Sequence, residues 1–249
     1  MTYIRSALHR TPLLFAWGWV KKWFCQPHSQ NNEAEILDEL VHRYAVPRTF
    51  VEFGFGAWEF NCAGLIRGFE GLLIDGNRRA VRYARMVLPR NISCECQWLD
   101  LEHLAIIRNF AQKKPLGILS VDVDGNDYWI LRALIDLNPA LVIVEFNPTF
   151  GLEPISVPYD ATFTGFSKHA SGFYYGASLA AMNNLCRKHG YTLVALSTPI
   201  VNAFFIRDDL LESATYGADF FTECAPAIRA LALDPQSDLF GLPLVDVTK

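Results

Sequence analysis

Short apolar segments alternate with amphipathic ones over residues 49–146, and this alternation constrains the fold more than any other feature of the sequence. The apolar segments, which we predict to be strands, cover residues 49–53, 71–75, 92–99, 116–123 and 141–146. Between them, the spacing of apolar residues predicts helices over 59–69, 78–88, 101–111 and 127–137, after a first helix over 33–44. Strands and helices in this order are typical of a doubly wound, mostly parallel α/β sheet.

The alternation stops after residue 146. Residues 147–172 carry Pro148, Pro154 and Pro158 and show no apolar periodicity, which predicts a long loop of the kind that serves as a lid or substrate loop. A helix over 174–189 and strands over 191–196 and 202–207 follow, and we expect these strands to pair antiparallel and complete a seven-stranded, Rossmann-like sheet. We therefore predict an N-terminal arm over residues 1–32 and a single domain over 33–249.

Charge and cysteine content exclude several classes of function. The formal net charge of -4 lacks the basic excess of a nucleic-acid-binding surface, so no nucleic-acid partner is expected. The six cysteines form no Cys-x-x-Cys pair, which argues against a zinc ribbon, and they are too sparse for a disulfide scaffold. We expect reduced thiols in a cytoplasmic protein. A P-loop lysine and a Gly-x-Ser-x-Gly elbow are both absent from the sequence, so kinase and hydrolase functions lack support.

The N-terminal arm contains an apolar run over residues 13–20, followed by Lys21 and Lys22. Eight residues are too few to span a bilayer, so we predict no transmembrane segment. We expect a helix packed on its own domain. Contact with a membrane surface or with a second copy in a homodimer stays as an alternative, because three tryptophans lie beside the lysines: Trp17, Trp19 and Trp23.

The first predicted strand ends in a glycine-rich turn that contains Glu52, Gly54 and Gly56. Glycines let a ligand approach the backbone closely, and the start of the next helix offers free N–H groups. Asp75 ends the second strand, where an acid can accept hydrogen bonds from ribose hydroxyls. A dinucleotide-binding motif needs a third glycine where Glu59 stands, and a negative charge beside a pyrophosphate would be costly. Glu52 instead suits a cationic ligand end, such as the amino group of S-adenosylmethionine.

With these residues the chain resembles class I S-adenosylmethionine-dependent methyltransferases, whose first motif has the form acid-x-Gly-x-Gly. The resemblance covers residues 48–207 and is closest to the FkbM-like branch, through the runs LSVDVDGNDYWILRAL, VIVEFNPTFG, YYGASLAAM and VNAFFIRDDL. It implies adenosylmethionine in the turn, its ribose on Asp75, and its adenine near Trp98, Leu99 and Asp100. Trp58 stands where that motif has its third glycine, so its ring either forms a wall of the substrate pocket or disturbs ordinary cofactor binding.

Polar side chains follow the fourth and fifth predicted strands: Asp122, Asp124, Asp127, Glu145 and Asn147. Both strand ends face the ligand crevice of an open α/β sheet, where carboxylates repel one another unless a cation, a proton or a donor intervenes. We predict catalytic roles for Asp122 and Glu145. A Mg²⁺ site formed by Asp122, Asp124 and Asn147 is an alternative. Helix capping is the ordinary interpretation of Asn126 and applies to Asp124 as well.

The predicted loop supplies the remaining candidates. His169 is a candidate base, because a neutral imidazole can accept a proton from a hydroxyl. The candidate substrate-binding residues are Trp58, Asn147, Tyr159 and Tyr175. Together these patterns predict methyl transfer from adenosylmethionine, most simply to an oxygen of a small molecule or glycan. The alternatives are a catalytically silent binding or scaffold protein with this fold, and an enzyme that transfers the aminocarboxypropyl group instead.

Overall fold

The computed structural model describes residues 27–56, 58–163, 168–211 and 219–248. At its centre lies a seven-stranded sheet in the order β3-β2-β1-β4-β5-β8-β7, in which β1 to β5 are parallel and β8 runs antiparallel to both neighbours. The strands are β1 Thr49–Phe53, β2 Glu70–Asp75, β3 Ile92–Cys96, β4 Ile118–Val121, β5 Leu141–Glu145, β7 Tyr191–Leu196 and β8 Asn202–Arg207. A separate antiparallel pair joins β6 Ile155–Ser156 to β9 Val245–Asp246.

Helices cover both faces of the sheet. They are α1 Glu33–Arg43, α2 Arg78–Val87, α3 Ala105–Lys113, α4 Asp127–Leu134, α5 Leu179–Lys188 and α6 Phe220–Leu231. Because side chains alternate along a strand, β1 serves two cores at once: Phe50 packs with α1 and α2, and Val51 and Phe53 pack with the cluster that includes α3 to α6. All three side chains are fully buried. The predicted fold class, a doubly wound, mostly parallel seven-stranded sheet with a closing hairpin, is confirmed.

Three helix predictions need correction, and the first is the helix expected over 101–111, which is Ala105–Lys113 because Asp100 and its bonds to Glu102 N and His103 N form a turn there. Residues 59–69 form no α-helix but a single 3-10 helix, Asn61–Leu65, and its first N–H groups are held by a side chain of β1. The helix expected over 174–189 begins only at Leu179, because Ser178 is its N-cap and accepts a hydrogen bond from Ala181 N at 3.1 Å. Strands expected over 92–99 and 116–123 are shorter, and the loop over 147–172 contains β6 and the 3-10 helix Pro148–Phe150.

Most of the predicted N-terminal arm, residues 1–26, lies outside the described residues. Its last part is attached to the domain: His28 N donates to Trp58 O at 2.9 Å, and Phe60 N donates to His28 O at 3.1 Å. In the part of the chain that the structure describes, each helix falls short of the length and apolar character that crossing a bilayer demands.

Candidate active site

A cavity of about 480 Å³ lies at the carboxyl ends of β1, β2 and β4. Ligands of open α/β sheets bind at this edge, and the volume is that of a small-molecule site. The cavity gathers predicted residues from separate parts of the chain, together with side chains from the loop. Its lining is Gly54, Phe55, Ile74, Asp75, Gly76, Asn77, Gln97, Trp98, Leu99, Asp122, Val123, Asp124, Asn126 and Phe163.

Gly54 occupies a position that other residues cannot fill. Its φ of +77° lies in the left-handed region, and a Cβ placed on it would lie 1.3 Å from the carbonyl oxygen of Asp122. Its N–H donates to Ile74 O at 3.2 Å, which ties the turn to β2 as well. The turn after β1 therefore packs backbone against backbone on the end of β4, and it leaves its other side open to the cavity.

Asp75 is held at the end of β2 with its carboxylate beside the cavity. Asn77 N donates to its Oδ1 at 2.5 Å, and Asn77 in turn caps α2 by accepting hydrogen bonds from the N–H groups of Arg79 and Ala80. Burial raises the pKa of Asp75, although backbone N–H donors from Asn77 and Phe55 lower it. The carboxylate is thus fixed by the backbone and is placed where a ligand hydroxyl could reach it.

The expected adenine-binding residues are only partly brought together. Trp98 and Leu99 line the cavity, and the Trp98 ring lies so close to Gly76 that a Cβ there would meet it at 2.9 Å. Asp100 lies outside the lining: its Oδ1 accepts hydrogen bonds from the N–H groups of Glu102 and His103 at 2.8 and 3.0 Å. Asp100 thereby stabilises the turn before α3.

Residues 159–163, here called the strap, cross from the end of β3 to the end of β4 beside the cavity. At the β3 side, Leu101 N donates to the Tyr159 hydroxyl at 3.0 Å. Trp98 Nε1 donates to Ala161 O at 2.9 Å. Tyr159, predicted to contact substrate, therefore anchors the strap in this structure.

At the β4 side the strap is held by Asn126. Its Nδ2 donates to Asp160 O at 2.8 Å, and Asp160 N donates back to its Oδ1 at 3.3 Å. Phe163 lies against Gly125, where a Cβ would meet the ring at 2.2 Å, and the ring forms part of the cavity wall. The expected capping role of Asn126 is wrong: its side chain makes no capping bond to α4 because it is used by the strap.

Three carboxylic acids meet beside the cavity. Asp122, Asp127 and Glu145 each offer an oxygen, and these oxygens all lie within 4.8 Å of one another. Burial, reinforced by the repulsion of the neighbouring acids, raises the pKa of Asp122 and of Glu145 well above the usual range. Glu145 Oε2 is buried and has no hydrogen-bond partner. The repulsion among these three acids, here called the acidic trio, is therefore relieved when they bind protons or a cation.

Asp127 differs from the other two members of the trio because backbone N–H groups donate hydrogen bonds to both of its carboxylate oxygens. Val123 N donates to its Oδ1 at 2.8 Å and Gly125 N to its Oδ2 at 2.9 Å. Burial still dominates and raises its pKa to about 6. Asp127 thus holds the chain that leaves β4, while Asp122 and Glu145 keep carboxylate oxygens available for chemistry.

The predicted Mg²⁺ ligands are only partly represented in the acidic trio: Asp122 belongs to it, and Asp124 does not. Asn147 is fully buried and its polar atoms are engaged by protein: Nδ2 donates to Phe173 O and Tyr175 O, and Oδ1 accepts from Thr149. Asn147 therefore secures the loop, which leaves no amide atom free for a metal or a substrate.

Glu52 lies just beneath the turn and is 1% exposed. Its two oxygens accept hydrogen bonds from Asn61 N at 2.6 Å and Cys62 N at 2.8 Å. Burial raises its pKa to about 7, whereas the backbone donors at Cys62 and Asn61 lower it. The structure thus gives Glu52 a role in holding the 3-10 helix, and its contact with a cationic ligand stays a prediction.

Four other candidates lie outside the cavity lining. Gly56 forms a tight turn with Glu59 through two backbone hydrogen bonds. The Trp58 ring packs edge-on against Tyr83, with centroids 5.1 Å apart, so it does not block this cavity. His169 Nδ1 lies 2.7 Å from Ser171 Oγ. Tyr175 is buried, and burial together with the nearby Glu145 charge raises its pKa.

Sequence reasoning missed several residues that line the cavity: Phe55, Asn77, Gln97, Val123 and Phe163. Gln97 lay inside the strand predicted over 92–99 and follows the shorter β3 of the structure, whereas Asn77 stands two residues after the end of β2, so its position near a strand end was a usable signal. Phe163 had none, because only the tertiary contact with Gly125 brings the strap to the cavity.

The comparisons with known proteins give fold relatives only. No protein-family model matches the chain, and no curated protein matches it. The N-terminal domain of EvdMO1, solved with SAH bound, is 14% identical, with a TM-score of 0.46 over 70% of this chain and 79% of that one. A putative caffeoyl-CoA O-methyltransferase from Staphylococcus aureus is 13% identical, with a TM-score of 0.48 over 82% and 97%. A TehB-like SAM-dependent methyltransferase from Corynebacterium glutamicum is 14% identical, with a TM-score of 0.43 over 72% and 88%. The likeness is one of fold. Activity has to be argued from the site itself.

Proposed function

We propose that this chain transfers a methyl group from S-adenosylmethionine to an oxygen of a small-molecule or glycan acceptor, as its FkbM-like sequence runs imply. The observation that carries the proposal is the cavity. In it, a position that only glycine can fill (Gly54) and a backbone-fixed acid (Asp75) meet a largely buried acid (Asp122).

The cavity residues fit the parts of the cofactor. Asp75 offers a carboxylate to the two ribose hydroxyls, and the backbone at Gly54 allows close approach. Trp98 and Phe163 provide aromatic surface for the adenine. Bound there, adenosylmethionine supplies an electrophilic methyl group on a sulfonium centre.

The acidic trio supports transfer to a hydroxyl, because methylation of a hydroxyl releases its proton. Asp122 lines the cavity, and Glu145 lies next to it with an unpartnered oxygen. The raised pKa of each makes its ionised form a stronger base than an ordinary carboxylate. The ionised member of the pair Asp122 and Glu145 would accept the proton, and Asp127 would keep the end of β4 in place. His169 is not needed for this step.

Cofactor binding is tested by calorimetric titration with S-adenosylhomocysteine. Asp75→Ala should weaken binding by at least about 100-fold, because each of the two hydrogen bonds to the charged carboxylate contributes about 1.5–3 kcal/mol. Glu102→Gln is the control, since it removes an exposed acid on the same edge of the molecule. If the Asp75→Ala variant binds adenosylhomocysteine within about twofold of the wild-type affinity, the proposed ribose contact is contradicted.

Turnover distinguishes the remaining alternatives. With an acceptor, methyl transfer leaves adenosylhomocysteine, whereas aminocarboxypropyl transfer leaves methylthioadenosine, and the two products differ in mass. A catalytically silent binding or scaffold protein would release neither product, and a folded protein that does not bind adenosylmethionine would favour this alternative. Parallel assays with Mg²⁺ and with a chelator test the metal alternative: activity that persists under chelation would contradict a Mg²⁺ site in the acidic trio.

A further inference from the structure

Helix α2 presents a strongly basic side to solvent. Its apolar residues Val81, Ala84 and Val87 are buried against the sheet. The four arginines on its other side are all exposed, and a fifth follows the helix: Arg78, Arg79, Arg82, Arg85 and Arg90. Residues 78–90 contain no acid, in a chain whose formal net charge is -4. Positive charge is therefore concentrated at this helix, which we call the basic face.

The basic face also carries an apolar element. A groove of about 540 Å³ runs along it, lined by Arg78, Val81, Arg82, Arg85, Met86 and Cys96. Met86 is 37% exposed among the arginines. Arg85 forms an ion pair with Glu95, with 3.0 Å between Arg85 Nη2 and Glu95 Oε2. Exposed arginines around an exposed apolar side chain suit a surface that is both anionic and apolar.

The preceding segment of the chain enters the domain beside this helix. His28 N donates to Trp58 O at 2.9 Å, and the Trp58 ring packs on Tyr83 of α2. The sequence before that point, residues 1–26, contains four Lys and Arg residues, no acid, and three tryptophans. Basic residues mixed with tryptophan are typical of segments that bind the interface of anionic membranes.

We propose that the basic face docks on an anionic phospholipid surface. Phospholipid headgroups supply the negative charge, and the acyl boundary accommodates Met86 and the apolar part of the groove. A nucleic acid would match the charge, but it would leave this apolar part without a partner. The proposal does not depend on the proposed methyl transfer.

The test is co-sedimentation of the full-length protein with vesicles of phosphatidylcholine alone or with added phosphatidylserine. We expect binding only with phosphatidylserine, and weaker binding as salt rises. Arg79→Gln together with Arg82→Gln should lower the partition coefficient about 25-fold, roughly fivefold per charge. The matched control neutralises two exposed lysines elsewhere, Lys113→Gln and Lys188→Gln, and should change binding less than about twofold.

Lysine variants separate charge from folding. Arg79→Lys with Arg82→Lys keeps the charge and should bind vesicles like wild type, while thermal melting verifies that the glutamine variant is folded. Equal binding to both vesicle types, no binding to either, or full binding by a folded glutamine variant would overturn the proposal. Tighter binding to an RNA oligonucleotide than to phosphatidylserine vesicles would overturn it as well.

Discussion

Replacement of Glu52 by Gln tests the electrostatics beneath the turn. Burial raises the pKa of Glu52 from 4.5 to about 7, and one pKa unit corresponds to about 1.4 kcal/mol. Ionised Glu52 therefore costs the native state about 3 kcal/mol relative to the unfolded chain. Because the folded pKa is the raised one, the native state binds more protons between these two values. The stabilisation from Glu52 is complete below pH 4.5 and is lost as the pH rises through about 7.

Urea unfolding of wild type and Glu52→Gln at about pH 5 and about pH 8 measures this contribution. The variant should be the less stable protein at the lower pH, because its amide offers one acceptor to the two N–H groups of Asn61 and Cys62, a loss of about 1–3 kcal/mol. Between the two pH values, the difference in unfolding free energy should move by about 2–3 kcal/mol in favour of the variant. Glu59→Gln, an exposed change in the same segment, controls for net charge. A difference that does not change with pH would refute the reasoning.

Two further comparisons test the contacts of the site. Gly54→Ala should lower the free energy of unfolding by at least about 3 kcal/mol and abolish adenosylhomocysteine binding, because it combines a left-handed φ with a backbone clash. The control Gly64→Ala should fold normally, because its Cβ would meet only Ala34 Cβ at 3.7 Å. Equal melting temperatures of the two variants would contradict this prediction. Near pH 8, Glu145→Gln should raise the melting temperature, because it removes an unpartnered buried carboxylate. Asp127→Asn should lower the melting temperature, because it takes an acceptor from two backbone N–H groups. A lower melting temperature for Glu145→Gln than for Asp127→Asn would contradict this account of the trio.

The sheet could be predicted well because each strand is a local pattern. Strands β1, β7 and β8 begin and end where the apolar runs do, and every residue of the parallel strands β1 and β4 is buried. The helix prediction for residues 59–69 was wrong because their apolar spacing resembles that of a helix, while the structure there depends on the buried carboxylate of Glu52. That contact links residues nine and ten positions apart, which helix periodicity does not encode.

Residues that line the cavity could be predicted where they stand at the end of a strand. Gly54, Asp75 and Asp122 were found because the carboxyl ends of parallel strands share one edge of the sheet. Asn147 was misjudged, since its position after β5 shows nothing of the two carbonyls that it binds. Phe163 was missed for the same reason: loop residues reach a site through tertiary contacts, and no local pattern records them.

The close contact between Gly54 and the carbonyl of Asp122 has a consequence for how such a protein could diversify. The turn after β1 and the end of β4 share a seam in which backbone meets backbone, so a change on either side displaces both. The strap, in contrast, is held by hydrogen bonds from side chains and by the packing of Phe163 on Gly125. Substitutions within residues 159–163 should therefore alter the cavity wall without displacing the seam.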